Sequence, residues 1–152
     1  PAVTEQTALT PFVGRVSRKV LPYIKKVLPD LKIPMKFVGN MKAIVNNPEL
    51  ASILMRDKRA SGCWVTLSFI YGMLNPELHI EPQRFDRCPV LLVHPADDKW
   101  TDVSLSRLFF DRLCGEKSLV MLEGAGHFPI EEIGLKKMCE DNLSFLEQCL
   151  GD

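Results

Sequence analysis

Between residues 12 and 28 the apolar positions Phe12, Val13, Val16, Val20, Ile24, Val27 and Leu28 recur at spacings of three and four. That rhythm predicts a helix with one apolar stripe. Arg15, Arg18, Lys19, Lys25 and Lys26 lie among them, and no acid occurs between residues 11 and 28. Pro22 is expected to kink or divide this helix, because it lacks an N–H and its ring clashes with the preceding turn. Asn47-Pro48 predicts the start of a second helix, with a capping side chain followed by a proline whose missing N–H costs nothing there. It should run on through residues 49–56. A third helix is predicted from near Ser61, carrying Trp64, Leu67, Phe69, Ile70, Met73 and Leu74 and ended by Asn75-Pro76.

The pattern then changes. Pro89-Val-Leu-Leu-Val93 is a short, wholly apolar run closed by His94-Pro95, the mark of a strand covered on both faces. Residues 101–114 follow as a predicted helix, with Thr101 as cap and Gly115 as stop. Ser118-Leu-Val-Met-Leu122 reads as a second apolar strand, closed by the turn Gly124-Ala-Gly126. The last helix is expected from about residue 131 to 150, with Leu135, Cys139, Leu143, Leu146 and Leu150 on one face. Glu131 and Glu132 in its first turn suit the positive end of its dipole. Strand, helix, strand, helix implies two parallel strands joined by a right-handed crossover. Two such strands cannot form a stable open sheet by themselves, so the sheet is expected to be incomplete in this chain.

Composition adds bounds. The 152 residues, 46% hydrophobic and 25% charged, suit a folded protein and argue against wholesale disorder. The formal net charge is zero, which disfavours nucleic acid as a partner. That zero divides unevenly. Residues 1–60 hold 11 Lys and Arg against 4 Asp and Glu, and residues 61–152 hold 8 against 15, giving +7 and −7. Five cysteines, at 63, 88, 114, 139 and 149, are an odd number with no CxxC, so reduced thiols in a reducing, cytoplasmic compartment are expected. Residues 1–10 have neither a basic start nor an apolar run, so no signal peptide is predicted. The longest uncharged stretch, residues 60–76, is 17 residues broken by Ser, Gly and Asn, and predicts a buried or interfacial helix rather than a membrane span.

In open parallel sheets, functional groups gather past the carboxyl ends of the strands. His94, Asp97 and Asp98 stand past the first strand here, and Gly124, Gly126 and His127 past the second. Any one of these has an ordinary explanation as a turn former or loop residue. Together, at consecutive strand ends, they suggest a carboxylate that fixes a histidine tautomer for general-base work.

The stretch CPVLLVHPADDKWTDVSLSRLFFDRLC, residues 88–114, followed by LVMLEGAGHFPIEE, resembles the C-terminal third of α/β-hydrolases, nearest the lysophospholipase and monoacylglycerol-lipase-like branch. That family writes a strand, Gly-x-x-Asp with the catalytic acid, a helix, a strand and Gly-x-Gly-His with the catalytic histidine. The resemblance implies Asp98 as the acid and His127 as the histidine. Pro95 replaces the family's glycine, so Asp97 also stands as a candidate acid, with the register favouring Asp98. The resemblance further implies that residues 1–80 are a helical cap shaping an acyl pocket and that residues 81–152 are the C-terminal part of the core. Only residues 88–150 carry its specific motifs.

The family's nucleophile elbow, Gly-x-Ser-x-Gly, occurs nowhere in these residues. Without a nucleophile, acid and histidine cannot form an acyl-enzyme. The expectation is therefore part of a serine hydrolase of acyl-glycerol or lysophospholipid esters. The nucleophile and the rest of the sheet would come from an upstream segment or, for the sheet, from an oligomer. No cofactor and no metal are expected: His94, Asp97, Asp98, His127 and Glu131 lack metal-ligand spacing. His79, between two prolines, reads as an exposed bystander, and His94 as a structural group. The basic apolar helix could touch an anionic lipid surface. The alternative from another class is a non-catalytic, hydrolase-like binding or interaction module.

Overall fold

The computed structural model describes residues 11–75 and 78–151. Residues 1–10, considered above for a signal peptide, and Pro76, expected to end the third helix, lie outside the described residues. The chain divides into two compact units, residues 1–77 and 78–152.

In the first unit, α1 (Pro11–Val27) runs as one helix through Pro22, so the proline does not divide it. From Val16 onward its predicted stripe is not its buried face. Val16, Val20, Ile24 and Val27 are exposed, Val27 to 77%, while Leu21 is buried. Leu21 packs with Leu67 and Ile70, and Ile33, Val38, Val65, Tyr71 and Leu74 surround this small core. The Lys25 ammonium lies 4.7 Å from the centre of the Tyr71 ring, so a basic position holds part of the contact face. Helix α2 (Pro48–Arg56) begins where the sequence predicts. The Asn47 side chain accepts from the Glu49 and Leu50 N–H groups, at 2.9 and 3.1 Å.

The third helix starts later than expected. Trp64–Thr66 form β2, paired antiparallel with β1 (Lys32–Pro34), and only then does α3 (Leu67–Leu74) begin. The Thr66 hydroxyl oxygen accepts from the Phe69 N–H and supplies the cap. Three-residue strands are too short for alternation to show in sequence, and pairing between distant segments of the chain decided the matter.

The second unit is built on β3 (Val90–Pro95) and β4 (Lys117–Leu122), parallel, in register from Val90 opposite Lys117 to Pro95 opposite Leu122. Helix α4 (Val103–Phe110) connects them and α5 (Glu132–Leu150) follows. Among the described residues this sheet has two strands. The residues of β3 are half-buried rather than fully covered, apart from buried His94.

Two helix expectations need correction. Helix α4 is capped by Asp102, whose carboxylate accepts from the Ser104 N–H at 2.8 Å, and it ends at Phe110, before Gly115. On α5, the expected face of Leu135, Cys139, Leu143, Leu146 and Leu150 is exposed, whereas Gly134 is buried and Met138 and Phe145 half-buried. The apolar surplus on α5 exceeds what two strands can cover.

Lys117 opens β4 and points its ammonium at the end of α4. Nζ donates to the carbonyls of Phe110, Asp111 and Leu113 at 3.1, 2.9 and 2.7 Å. It thereby satisfies acceptors that a helix C-terminus leaves open. Lys117→Met removes these donors, including the one to the half-buried Leu113 carbonyl. It should lower stability by about 1–3 kcal/mol, read by denaturant unfolding against the unsubstituted protein.

Candidate active site

The carboxyl ends of β3 and β4 lie side by side, so the loops that leave them meet. Backbone bonds fix that meeting: Ala96 N–H donates to Leu122 O at 2.9 Å and Asp97 N–H to Ala125 O at 3.1 Å. Asp97 itself is exposed. Asp98, one residue on, has a side chain only 2% exposed, and its carboxylate is the centre of the site.

Each oxygen of Asp98 accepts twice. Oδ1 takes the N–H groups of Trp100 and Thr101, at 2.8 and 2.9 Å, which closes a tight turn over residues 98–101. Oδ2 takes the Thr101 hydroxyl at 2.7 Å and His127 Nδ1–H at 2.8 Å. A carboxylate only accepts, so Nδ1 carries the proton in the neutral ring and Nε2 is left as the basic nitrogen. Burial alone raises the Asp98 pKa. The Thr101 N–H, His127, the Thr101 hydroxyl and the Trp100 N–H together outweigh it and hold the carboxyl below its ordinary value.

The sign of that shift makes a prediction. A depressed folded pKa means that the ionised carboxylate stabilises the fold at neutral pH. This contribution is lost as pH falls from about 4 through the folded value. The difference in unfolding free energy between the unsubstituted protein and Asp98→Asn should therefore shrink below about pH 4, as measured by denaturant titration at a series of pH values. A difference independent of pH would contradict it.

His127 is presented by a turn that needs its glycines. Gly124 has φ +71°, a conformation that side chains disfavour. Ala125 is fully buried beneath the start of α5, where a Cβ on Gly134 would come within 2.7 Å of the Ala125 Cβ. Helix and turn touch because residue 134 has no side chain. Gly126 N–H donates to Glu131 Oε2 at 3.2 Å, so the carboxylate before α5 also holds the turn. The His127 ring meets Trp100 edge-on at 4.7 Å and stacks on Phe128 at 5.8 Å.

His94 is buried, and its Nε2–H donates to the Thr101 carbonyl at 3.1 Å, with Nε2 4.0 Å from Asp98 Oδ2. It belongs to the support of the site. His79 lies in the loop before Pro82 and is exposed. Sequence reasoning missed Thr101 as a site residue by assigning it to the helix cap. Asp102 was the signal available, since a second good capping residue immediately follows. Among the described residues, no group of three or more His, Cys, Asp or Glu side chains is arranged to hold a metal ion, and no helix is long and apolar enough to cross a membrane.

Neither a family model nor a curated protein matches the chain. Solved structures do. A soluble variant of monoglyceride lipase from Saccharomyces cerevisiae, in complex with a substrate analog, matches with a TM-score of 0.67 and 18% identity, over 96% of this chain and 54% of the lipase. The monoacylglycerol lipase of Paleococcus ferrophilus matches with a TM-score of 0.69 and 19% identity, over 95% of this chain and 55% of the lipase. The chain thus spans about half the length of these structures, and its fold is a partial α/β-hydrolase fold.

Proposed function

We propose that Asp98 and His127 are the acid and base of a serine hydrolase of carboxylic esters, of the monoacylglycerol-lipase kind, whose nucleophilic serine lies outside these 152 residues. The observation that carries this reading is the 2.8 Å bond between Asp98 Oδ2 and His127 Nδ1 at consecutive strand ends. His127 Nε2 takes the proton of the serine hydroxyl as the oxygen attacks the ester carbonyl. It then returns the proton to the leaving alcohol. Asp98 holds the ring in the Nδ1–H tautomer and stabilises the imidazolium that forms between the two steps. A water molecule, deprotonated by the same nitrogen, then attacks the acyl-serine carbonyl, and the proton passes to the serine oxygen as the ester bond to it breaks and the fatty acid leaves.

Acyl-glycerol or lysophospholipid esters are the proposed substrates. The likeness to two monoacylglycerol lipases supports this class, as does the apolar content of residues 1–80, which on this reading form the hydrolase cap. The rest of the sheet is proposed to come from the same hydrolase. The exposed Val16, Val20 and Tyr23 of α1, beside Lys19 and Lys26, suit contact with an anionic lipid surface. Five cysteines, none in a disulfide, suit a cytoplasmic location.

The test is labelling of the full-length protein by a fluorophosphonate probe, with monoacylglycerol and lysophospholipid hydrolysis measured in parallel. Labelling that depends on His127 and Asp98 supports the reading. A full-length protein that neither labels nor hydrolyses would instead be a hydrolase-like binding module.

A further inference from the structure

One hydroxyl touches both members of the proposed pair. Thr101 Oγ1 lies 2.7 Å from Asp98 Oδ2 and 3.1 Å from His127 Nδ1. Nothing in the acid–base chemistry requires a third group there. The rest of Thr101 is anchored just as firmly, since its N–H donates to Asp98 Oδ1 at 2.9 Å and its carbonyl accepts from buried His94 at 3.1 Å. A β-branched side chain on a backbone pinned at both ends has little freedom at χ1. The hydroxyl is therefore held where it lies.

We infer that Thr101 is a positioning residue, whose hydroxyl sets the orientation of the Asp98 carboxylate and keeps the His127 ring in its Nδ1–H tautomer. The inference rests on the functional reading above for its kinetic consequence but not for its spectroscopic one. A hydroxyl has one proton, and the shorter, charge-assisted bond to the carboxylate takes it. The oxygen then offers only lone pairs to His127 Nδ1, which is satisfied when Nδ1 carries a proton. In the other tautomer the bare Nδ1 would face a carboxylate oxygen and a hydroxyl lone pair, with no donor left. His94, otherwise an unexplained buried histidine, acquires a part: its bond to the Thr101 carbonyl holds the bridge from behind.

Thr101→Val tests this directly. A methyl cannot approach a carboxylate oxygen to 2.7 Å, so it pushes Asp98 and His127 apart while preserving shape and β-branching. In the full-length protein, kcat should fall about tenfold to a hundredfold, a fraction of what complete loss of the correct tautomer costs. KM should stay within about twofold, as expected for a group that does not touch substrate. Thr101→Ser, which keeps the oxygen, should restore most of the rate. The ring-nitrogen shifts of His127, read by long-range proton–nitrogen correlation at alkaline pH, should report Nδ1–H in the unsubstituted protein and in Thr101→Ser. In Thr101→Val they should move toward a mixture of tautomers. Unchanged ring shifts in Thr101→Val, or equal disturbance in Thr101→Ser, overturn the inference. The shifts need no substrate, so a protein without esterase activity would refute the functional reading while leaving Thr101 to be judged on the tautomer alone.

Discussion

Replacing His127 with alanine should lower the ester-hydrolysis kcat of the full-length protein about a millionfold, and Asp98→Asn about ten-thousandfold. The difference follows from the two roles. On the proposed mechanism, His127 moves the proton in both half-reactions. On the same mechanism Asp98 orients and stabilises the ring, and asparagine can keep much of the geometry while favouring the wrong tautomer through its NH₂. The double variant should be no slower than His127→Ala alone, because the carboxylate acts only through the ring. KM should change little in all three. Fluorophosphonate labelling should fall in the same order, since the probe reads how readily the serine is deprotonated. Asp98 is also expected to stabilise the fold, so unfolding curves must accompany the kinetics. A folded Asp98→Asn protein with undiminished kcat would sink the assignment, as would undiminished activity in His127→Ala.

The second large effect concerns the 152-residue chain on its own. Helix α5 leaves Ile133, Leu143 and Leu150 exposed, to 78, 61 and 83%. Both β3 and β4 have only each other as strand partner among the described residues. Contiguous apolar surface and open strand edges each favour association with other chains. Expressed alone, the 17.2 kDa chain should sediment as oligomers or aggregates. Supplying a segment that completes the parallel sheet should turn it into one discrete, folded species. A stable, monodisperse monomer in analytical ultracentrifugation would show instead that the two-stranded sheet suffices.

Much of the second unit was legible because its signals are local. Pro89-Val-Leu-Leu-Val93 and Ser118-Leu-Val-Met-Leu122 are short apolar runs bounded by turn residues, and the structure holds β3 and β4 there. Asn47-Pro48 likewise carries its helix start in two residues. The first unit was less legible. Its strands pair residues about thirty positions apart, Ile33 with Val65, and no pattern within three residues announces such a partner. The apolar stripe of α1 was plain in the sequence, yet its residues from Val16 to Leu28 are exposed, because burial depends on what lies opposite and not on the helix alone.

The same division runs through the site. The order of residues alone determined that an acid and a histidine follow consecutive strands, and that glycines precede the histidine, since strand ends and turns are encoded by their own residues. It favoured Asp98 by register while keeping Asp97 as a candidate, and it spent Thr101 on a helix cap. Only the tertiary structure decided that Asp98 is the carboxylate meeting His127, and that Asp102 caps the helix while Thr101 bridges the pair. The physical reason is that hydrogen-bond partners 29 positions apart are chosen by the parallel register of β3 and β4 and by the close approach of Gly134 to Ala125. Neither exists until the chain has folded back on itself.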